Sequence, residues 1–208
     1  MSRVPDNSGS YGRQDERPDT EFYSVPRLVK HIDGRAIAEV TRLYRELLPA
    51  GGEILDLMTS WVSHLPGEVS YARVSGLGMN EEELRSNPRL DDYVIHDLNE
   101  NPALPYRKNE FDAATICVSV DYLTRPAEAL RELGRVVRPG GPVIITFSNR
   151  CFPTKVVSEW LRRDDRGRME LVEEYLREAG NWSNVRSLDR SPGHPFADPL
   201  YAVIGESA

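Results

Sequence analysis

The feature that most constrains this chain is an alternation of short apolar runs with helical segments. Glu53–Leu57 (EILDL), Val69–Val74 (VSYARV), Tyr93–His96 (YVIH), Phe111–Val118 (FDAATICV) and Val143–Phe147 (VIITF) each have the length and texture of a buried strand. Between them the chain changes period. Ile37, Val40, Leu43, Tyr44, Leu47 and Leu48 recur at three- and four-residue steps and predict an amphipathic helix, closed by Pro49 and Gly51-Gly52. A helical turn is expected at Asn80–Leu84 and a helix from Pro126 to Val137, with proline in its first turn and Pro139-Gly140-Gly141 after its end. Further helices are expected at Thr154–Leu161 and Met169–Ala179. Strands alternating with helices define an α/β chain: a parallel sheet covered on both faces. Two weaker strands, Val185–Asp189 and Leu200–Ile204, are joined only by a loop. Parallel neighbours need a longer crossover, so this closing pair is read as antiparallel.

The 208 residues suit one domain over 22–208. Residues 1–21 are rich in Asp, Ser, Gly, Pro and Arg, with few apolar side chains to offset ordering, and read as a flexible N-terminal arm. The formal charge of −7 disfavours gripping a phosphate backbone, so nucleic acid is not an expected partner. Cys117 and Cys151 stand in unrelated contexts, which argues against a metal site or a disulfide framework and fits a reducing, cytoplasmic compartment. No apolar run reaches the roughly 18 residues that a membrane span needs, and no membrane association is expected.

Ligands of an open parallel sheet bind at the carboxyl ends of its strands. The loops expected there are Met58-Thr59-Ser60-Trp61, Ser75-Gly76-Leu77-Gly78-Met79-Asn80, Asp97-Leu98-Asn99, Ser119-Val120-Asp121-Tyr122 and Ser148-Asn149-Arg150.

The succession EILDL, HDLN, FDAATICVSVDYL, RELGRVVRPGG and VIITFS resembles the class I S-adenosylmethionine-dependent methyltransferases over roughly residues 50–150. Glu132–Gly141, a helix end running into Arg-Pro-Gly-Gly before an apolar strand, is its most characteristic part. The resemblance implies a Rossmann-like, mostly parallel seven-stranded sheet with helices on both faces and an antiparallel C-terminal pair. It implies S-adenosylmethionine as cofactor and a small molecule as methyl acceptor. By the same resemblance Asp56, Met58, Thr59 and Ser60 form the cofactor loop. Gly78, Met79 and Asn80 lie beside the ribose, Asp97 and Leu98 beside the adenine, and Cys117, Val118 and Ser119 beside the methionine moiety. Tyr122 stands where the family often has histidine, next to the transferred methyl group. Tyr122, His64 and Asp121 are candidate bases, and Tyr23, Arg27, Asn149 and Arg150 candidate acceptor contacts.

Two departures stand out. The family carries D-x-G-x-G-x-G after its first strand, whereas Met58, Ser60 and Val62 occupy all three glycine positions here. Bulky and β-branched residues resist positive φ, so the loop is expected to take another path. Thr59, Ser60, Ser63 and His64 are expected to bond the cofactor through side chains instead. The acidic residue that usually receives the ribose hydroxyls falls at Gly78. A rival reading is therefore a non-catalytic scaffold or regulatory subunit, in which Met58 and Trp61 fill the cofactor space. A nicotinamide enzyme is weaker still, since no G-x-G-x-x-G follows the first strand.

Overall fold

The computed structural model describes residues 11–208; the first ten residues of the expected arm lie outside it. Its seven strands are β1 (Glu53–Leu57), β2 (Arg73–Gly78), β3 (Asp92–Ile95), β4 (Ala113–Cys117), β5 (Pro142–Phe147), β6 (Trp182–Asp189) and β7 (Tyr201–Ser207). They form one sheet in the order β3-β2-β1-β4-β5-β7-β6. The first five are parallel, and β7 runs antiparallel to both β5 and β6, as the short final connection requires. Strand order reverses between β1 and β4, which makes that junction the natural ligand crevice.

The helices are α1 (Asp19–Phe22), α2 (Gly34–Leu47), α3 (Glu81–Arg85), α4 (Pro126–Val136), α5 (Ser158–Leu161) and α6 (Asp165–Ala179). Alternation along the strands sorts the core into two layers. Ile54, Ala113 and Ile144 face α2 through Ala36, Val40, Leu43 and Tyr44. Leu55, Ala114 and Ile145 face the other way, onto Leu130 and Leu133 of α4 and Val172 and Leu176 of α6. Asp33 caps α2 by accepting from the Arg35 and Ala36 N–H groups. The Arg-Pro-Gly-Gly segment is explained by close approach. A Cβ on Gly141 would stand 2.5 Å from the Asp112 carbonyl oxygen, and the Arg138 guanidinium binds the Asp112 carboxylate.

Three expectations need correction. The second strand lies four residues later than read, so Ser75, Gly76, Leu77 and Gly78 are strand rather than loop. Two glycines lower strand propensity, but their missing side chains are what allows the neighbouring loop to lie against β2. The helix expected from Thr154 begins only at Ser158. Residues before it spend their backbone groups elsewhere: Thr154 accepts from Asp15 N–H, and Val157 bridges to Arg13.

Those same contacts mean that residues 11–21, read as a flexible arm, are docked. Asp19 is buried and receives two hydrogen bonds from one guanidinium nitrogen of Arg13, at 2.7 and 2.8 Å. It also receives one from Asn99 Nδ2 at 2.8 Å, and pairs with the fully buried Lys155 ammonium at 3.0 Å. Sparse apolar content predicted mobility because it said nothing about buried charge pairs.

Candidate functional site

A cavity of about 590 Å³ opens over the carboxyl ends of β1, β2 and β4, within the range typical of small-molecule sites. Its floor is set by Asp56, near the end of β1 and 2% exposed. One Asp56 oxygen accepts from Thr59 Oγ1 at 2.5 Å and the other from Thr115 Oγ1 at 2.8 Å. Burial pushes this carboxyl above its ordinary range, against hydrogen bonds from Ser63, Thr59 and Thr115 that work the other way.

Met58 takes the left-handed conformation, φ 57°, so a bulky residue adopts the backbone shape that glycine would favour. The loop then turns sideways onto β2, where Thr59 N–H donates to the Leu77 carbonyl at 2.9 Å. Gly76 and Gly78 make that possible. A Cβ on Gly78 would lie 2.3 Å from the Thr59 carbonyl oxygen, and one on Gly76 would lie 3.1 Å from Thr59 Cγ2. Glycine is missing from the loop and present under it.

The loop hydroxyls expected to bond a cofactor are otherwise engaged. Thr59 is tied to Asp56, Ser60 Oγ donates to Glu83 Oε2 at 2.5 Å, and Ser63 Oγ accepts from Asn87 Nδ2 at 2.9 Å. Trp61 lines the cavity edge, its indole N–H donating to the Val29 carbonyl at 3.0 Å, and neither it nor Met58 fills the space. Asn80 is also committed: Oδ1 caps α3 at Glu83 N–H, and Nδ2 donates to the Tyr23 carbonyl.

Gly78, Met79, Asp97, Leu98, Cys117, Val118 and Ser119 all line the cavity. Asp97 holds a turn, with Oδ1 accepting from Asn99 and Glu100 N–H. Val118 carries φ 47°, a strained setting for a β-branched residue and one that tends to accompany function. Ser119 Oγ is buried in the wall without a hydrogen-bond partner among the described residues, a polar group that a ligand can satisfy.

The roof comes from the docked arm and the segment after β5. Tyr23, Arg27, His31, Arg150 and Phe152 line it, whereas Asn149 is exposed and lies outside the lining. The Arg27 guanidinium sits 4.3 Å from the Phe22 ring centroid and 5.5 Å from that of Phe152. Arg150 pairs with Asp198 at 2.8 Å. Tyr122 Oη accepts from Phe152 N–H at 2.8 Å, and burial, reinforced by Asp121, holds its proton tightly. His64 lines the cavity as a neutral imidazole, its pKa pushed down to about 4 by burial and by Lys30 and His31 nearby. Asp121 is buried, with a pKa raised to about 7 by desolvation, but it does not line the cavity. Among the described residues no His, Cys, Asp or Glu side chains gather as a metal site.

Sequence reasoning missed Glu83 and the cluster of Arg13, Asp19, Asn99 and Lys155. A trace of Glu83 was present: Asn80-x-x-Glu83 has capping-box spacing. Its carboxylate, however, turns to Ser60 rather than back to the helix start. The cluster left no local trace, because Asp19 and Lys155 lie far apart in the chain.

This topology, with its cavity at the β1/β4 junction, defines the class I methyltransferase architecture. The methyltransferase domain family matches residues 59–145. A demethylmenaquinone methyltransferase of Renibacterium salmoninarum is 37% identical over 90 residues, 42% of this chain and 36% of that protein. A ubiquinone/menaquinone biosynthesis C-methyltransferase of Roseobacter denitrificans is 49% identical over 43 residues, 21% of this chain and 17% of that protein. The chain thus spans well under half the length of the curated relatives it matches. A methyltransferase structure from Aquifex aeolicus superposes with a TM-score of 0.58 at 18% identity, covering 91% of this chain and 97% of that one. The 4+2 cyclase SpnF superposes with a TM-score of 0.63 at 18% identity, covering 90% of this chain and 91% of that one. These likenesses carry the fold, and SpnF illustrates that a fold does not dictate its chemistry. Fold and sequence together make the chain similar to the class I S-adenosylmethionine-dependent methyltransferases, with the sequence match to the methyltransferase domain confined to residues 59–145.

Proposed function

We propose that the protein transfers a methyl group from S-adenosylmethionine to a small planar acceptor of the quinone or quinol type. The observation that carries this reading is the open cavity. Loop 58–62 has no glycine, yet Met58 turns left-handed and the chain is drawn onto the glycines of β2 instead of into the cofactor space. A scaffold reading needs that space filled by Met58 and Trp61, and they form only its walls.

The residues present fit the cofactor. Asp56 anchors the loop, Asp97 and Leu98 line the space and would face an adenine ring, and Ser119 Oγ, without a partner among the described residues, offers a polar contact beside Cys117 and Val118. When bound, S-adenosylmethionine supplies an electrophilic methyl group on a sulfonium. The chain's part is alignment and exclusion of water, with a base only for weakly acidic acceptors. Tyr23, His31, Trp61 and Phe152 offer flat faces to a planar acceptor, and Arg27 favours one with anionic oxygen. His64, neutral at pH 7, is available to take a proton. Tyr122 is suited to orienting the acceptor through its hydroxyl, since its proton is held too firmly for it to serve as a base. The names of the curated relatives support a quinone-type acceptor.

The test is direct. S-adenosylhomocysteine at a hundredfold excess over Kd should raise stability by about 2.7 kcal/mol, visible in a melting curve. Labelled methyl groups should then appear on a hydroxylated naphthoquinol in a panel of small acceptors. No heat and no melting shift at millimolar ligand would end the proposal.

A further inference from the structure

Resting on that reading of the cavity, we infer that Glu83 is the carboxylate that accepts hydrogen bonds from the paired hydroxyls of the cofactor's sugar. The tip of β2 cannot supply such a group. Gly78 has no side chain, and the Thr59 carbonyl oxygen, 2.3 Å from its would-be Cβ, leaves no room for one. The acceptor must come from another element.

The carboxylates that line the cavity separate by what they already hold. Asp19 is neutralised by Arg13 and Lys155. Asp56 sits beneath the loop with Thr59 and Thr115. Asp33 caps α2 and also accepts from Asp198 N–H, while Asp198 pairs with Arg150 and accepts from Asp33 N–H. Asp97 belongs to the β3 end and its turn. Glu83 remains. It is 9% exposed, lines the cavity from the first turn after β2, and no Lys or Arg side chain pairs with it among the described residues.

Its two oxygens are each fixed by one donor: Oε1 by Arg27 N–H at 2.6 Å and Oε2 by Ser60 Oγ–H at 2.5 Å. An ionised carboxylate has about four acceptor positions, so each oxygen keeps one for a hydroxyl. Two adjacent acceptors of this kind match a vicinal diol, and hydrogen bonds to a charged acceptor are the strong kind. Arg27 and Ser60 are positioning residues: one comes from the arm and the other from the cofactor loop, and both bear on the same carboxylate. The acid absent from β2 is replaced from α3, five residues on, and the glycine left behind makes room for the loop.

The experiment compares S-adenosylhomocysteine with its 2′-deoxy analogue by titration calorimetry, on the wild-type protein and on Glu83→Gln. The wild type should bind the deoxy analogue about ten- to a hundredfold more weakly, the range expected for a hydrogen bond to a charged group. Glu83→Gln should bind S-adenosylhomocysteine more weakly by a similar factor and lose most of the discrimination between the two ligands. If both proteins discriminate equally, Glu83 is only structural and the inference is overturned while the cofactor reading stands. If the wild type binds neither ligand, the cofactor reading falls and takes the inference with it. Should Glu83→Gln fail to fold, Glu83→Asp replaces it. That variant withdraws the charge by one methylene and should show a partial loss of affinity together with a partial loss of discrimination against the 2′-deoxy analogue; undiminished discrimination would overturn the inference equally.

Discussion

The two sides of the cavity are held together by different physics. On the cofactor side, the loop after β1 is fixed to the sheet by backbone bonding and short hydroxyl–carboxylate contacts, with no cation on Asp56 or Glu83 among the described residues. On the acceptor side, an arm remote in sequence is fastened by a buried cluster of opposite charges around Asp19. A wall made from the sheet is preformed, whereas a roof fastened by an ion cluster and a few isolated backbone bonds can loosen when that cluster fails. The largest expected effect follows. Lys155→Met leaves Asp19 with its arginine but removes the ammonium and its bond to the Arg17 carbonyl. Breaking a buried pair from one side costs about 3–5 kcal/mol. Melting should fall accordingly, and limited proteolysis should cut within residues 11–21. The fragment that lacks those residues but keeps Arg27 on Glu83 should retain its affinity for S-adenosylhomocysteine within severalfold. Loss of all cofactor binding on clipping would break the distinction.

Acid separates the two sides more finely. The folded pKa of His64, about 4, lies below the ordinary 6.5, so the native state prefers the neutral ring. Its contribution is full above pH 6.5 and is lost as pH falls from there to about 4, amounting to about 3 kcal/mol. Asp19 is depressed below 3.8: burial raises it, and hydrogen bonds from Arg13, Asn99 and Lys155 lower it further than that. Its contribution is present above the ordinary carboxylate range and lost only at lower pH. Asp121, raised to about 7 by burial, has the opposite sign and gains stability as pH falls from 7. The His64 contribution is therefore read as a difference. Between pH 7 and 4.5, wild type should lose more stability than His64→Gln, with arm protection unchanged in both. Equal losses would show that the imidazole is not held neutral by burial.

Gly78→Ala sharpens the account of the loop. Its methyl would meet the Thr59 carbonyl, a backbone atom that cannot swing away. Overpacking of this kind costs about 1–3 kcal/mol. The loop should shift toward the cavity, weakening S-adenosylhomocysteine at least tenfold in calorimetry while the arm stays protected from protease. Unchanged affinity would mean that the β2 glycines do not keep the cofactor space open.

The sheet, its order of elements and the antiparallel ending were legible because periodicity and turn residues are local signals. β1 was read residue for residue, and α4 and β5 to within one. β2 was misplaced because its Gly76 and Gly78 look like a loop until Thr59 is laid across them. Most site candidates line one cavity, because strand ends converge wherever the topology is right. What those side chains bind was less legible. Thr59, Ser60 and Asn80 looked like ligand contacts, but their partners are Asp56, Glu83 and Tyr23. Polar residue types announce that a bond will be made, and only the fold decides with whom. The Asp19–Lys155 pair was invisible for the same reason.

The smallest expected effect addresses the strongest sequence objection, that a loop without glycine cannot shape a cofactor site. Met58 holds φ 57°, a conformation that costs a residue with a side chain roughly 1–2 kcal/mol. Met58→Gly removes that cost. It also removes a partly buried thioether packed against the core and frees the unfolded chain, and both changes oppose the gain. The net change in stability should stay within about 1 kcal/mol, and affinity for S-adenosylhomocysteine should change by less than threefold, since the backbone path is already the one glycine would choose. A gain of tenfold or more would mean that the methionine side chain obstructs the ligand. The loop would then differ from a glycine-rich one in function as well as in sequence.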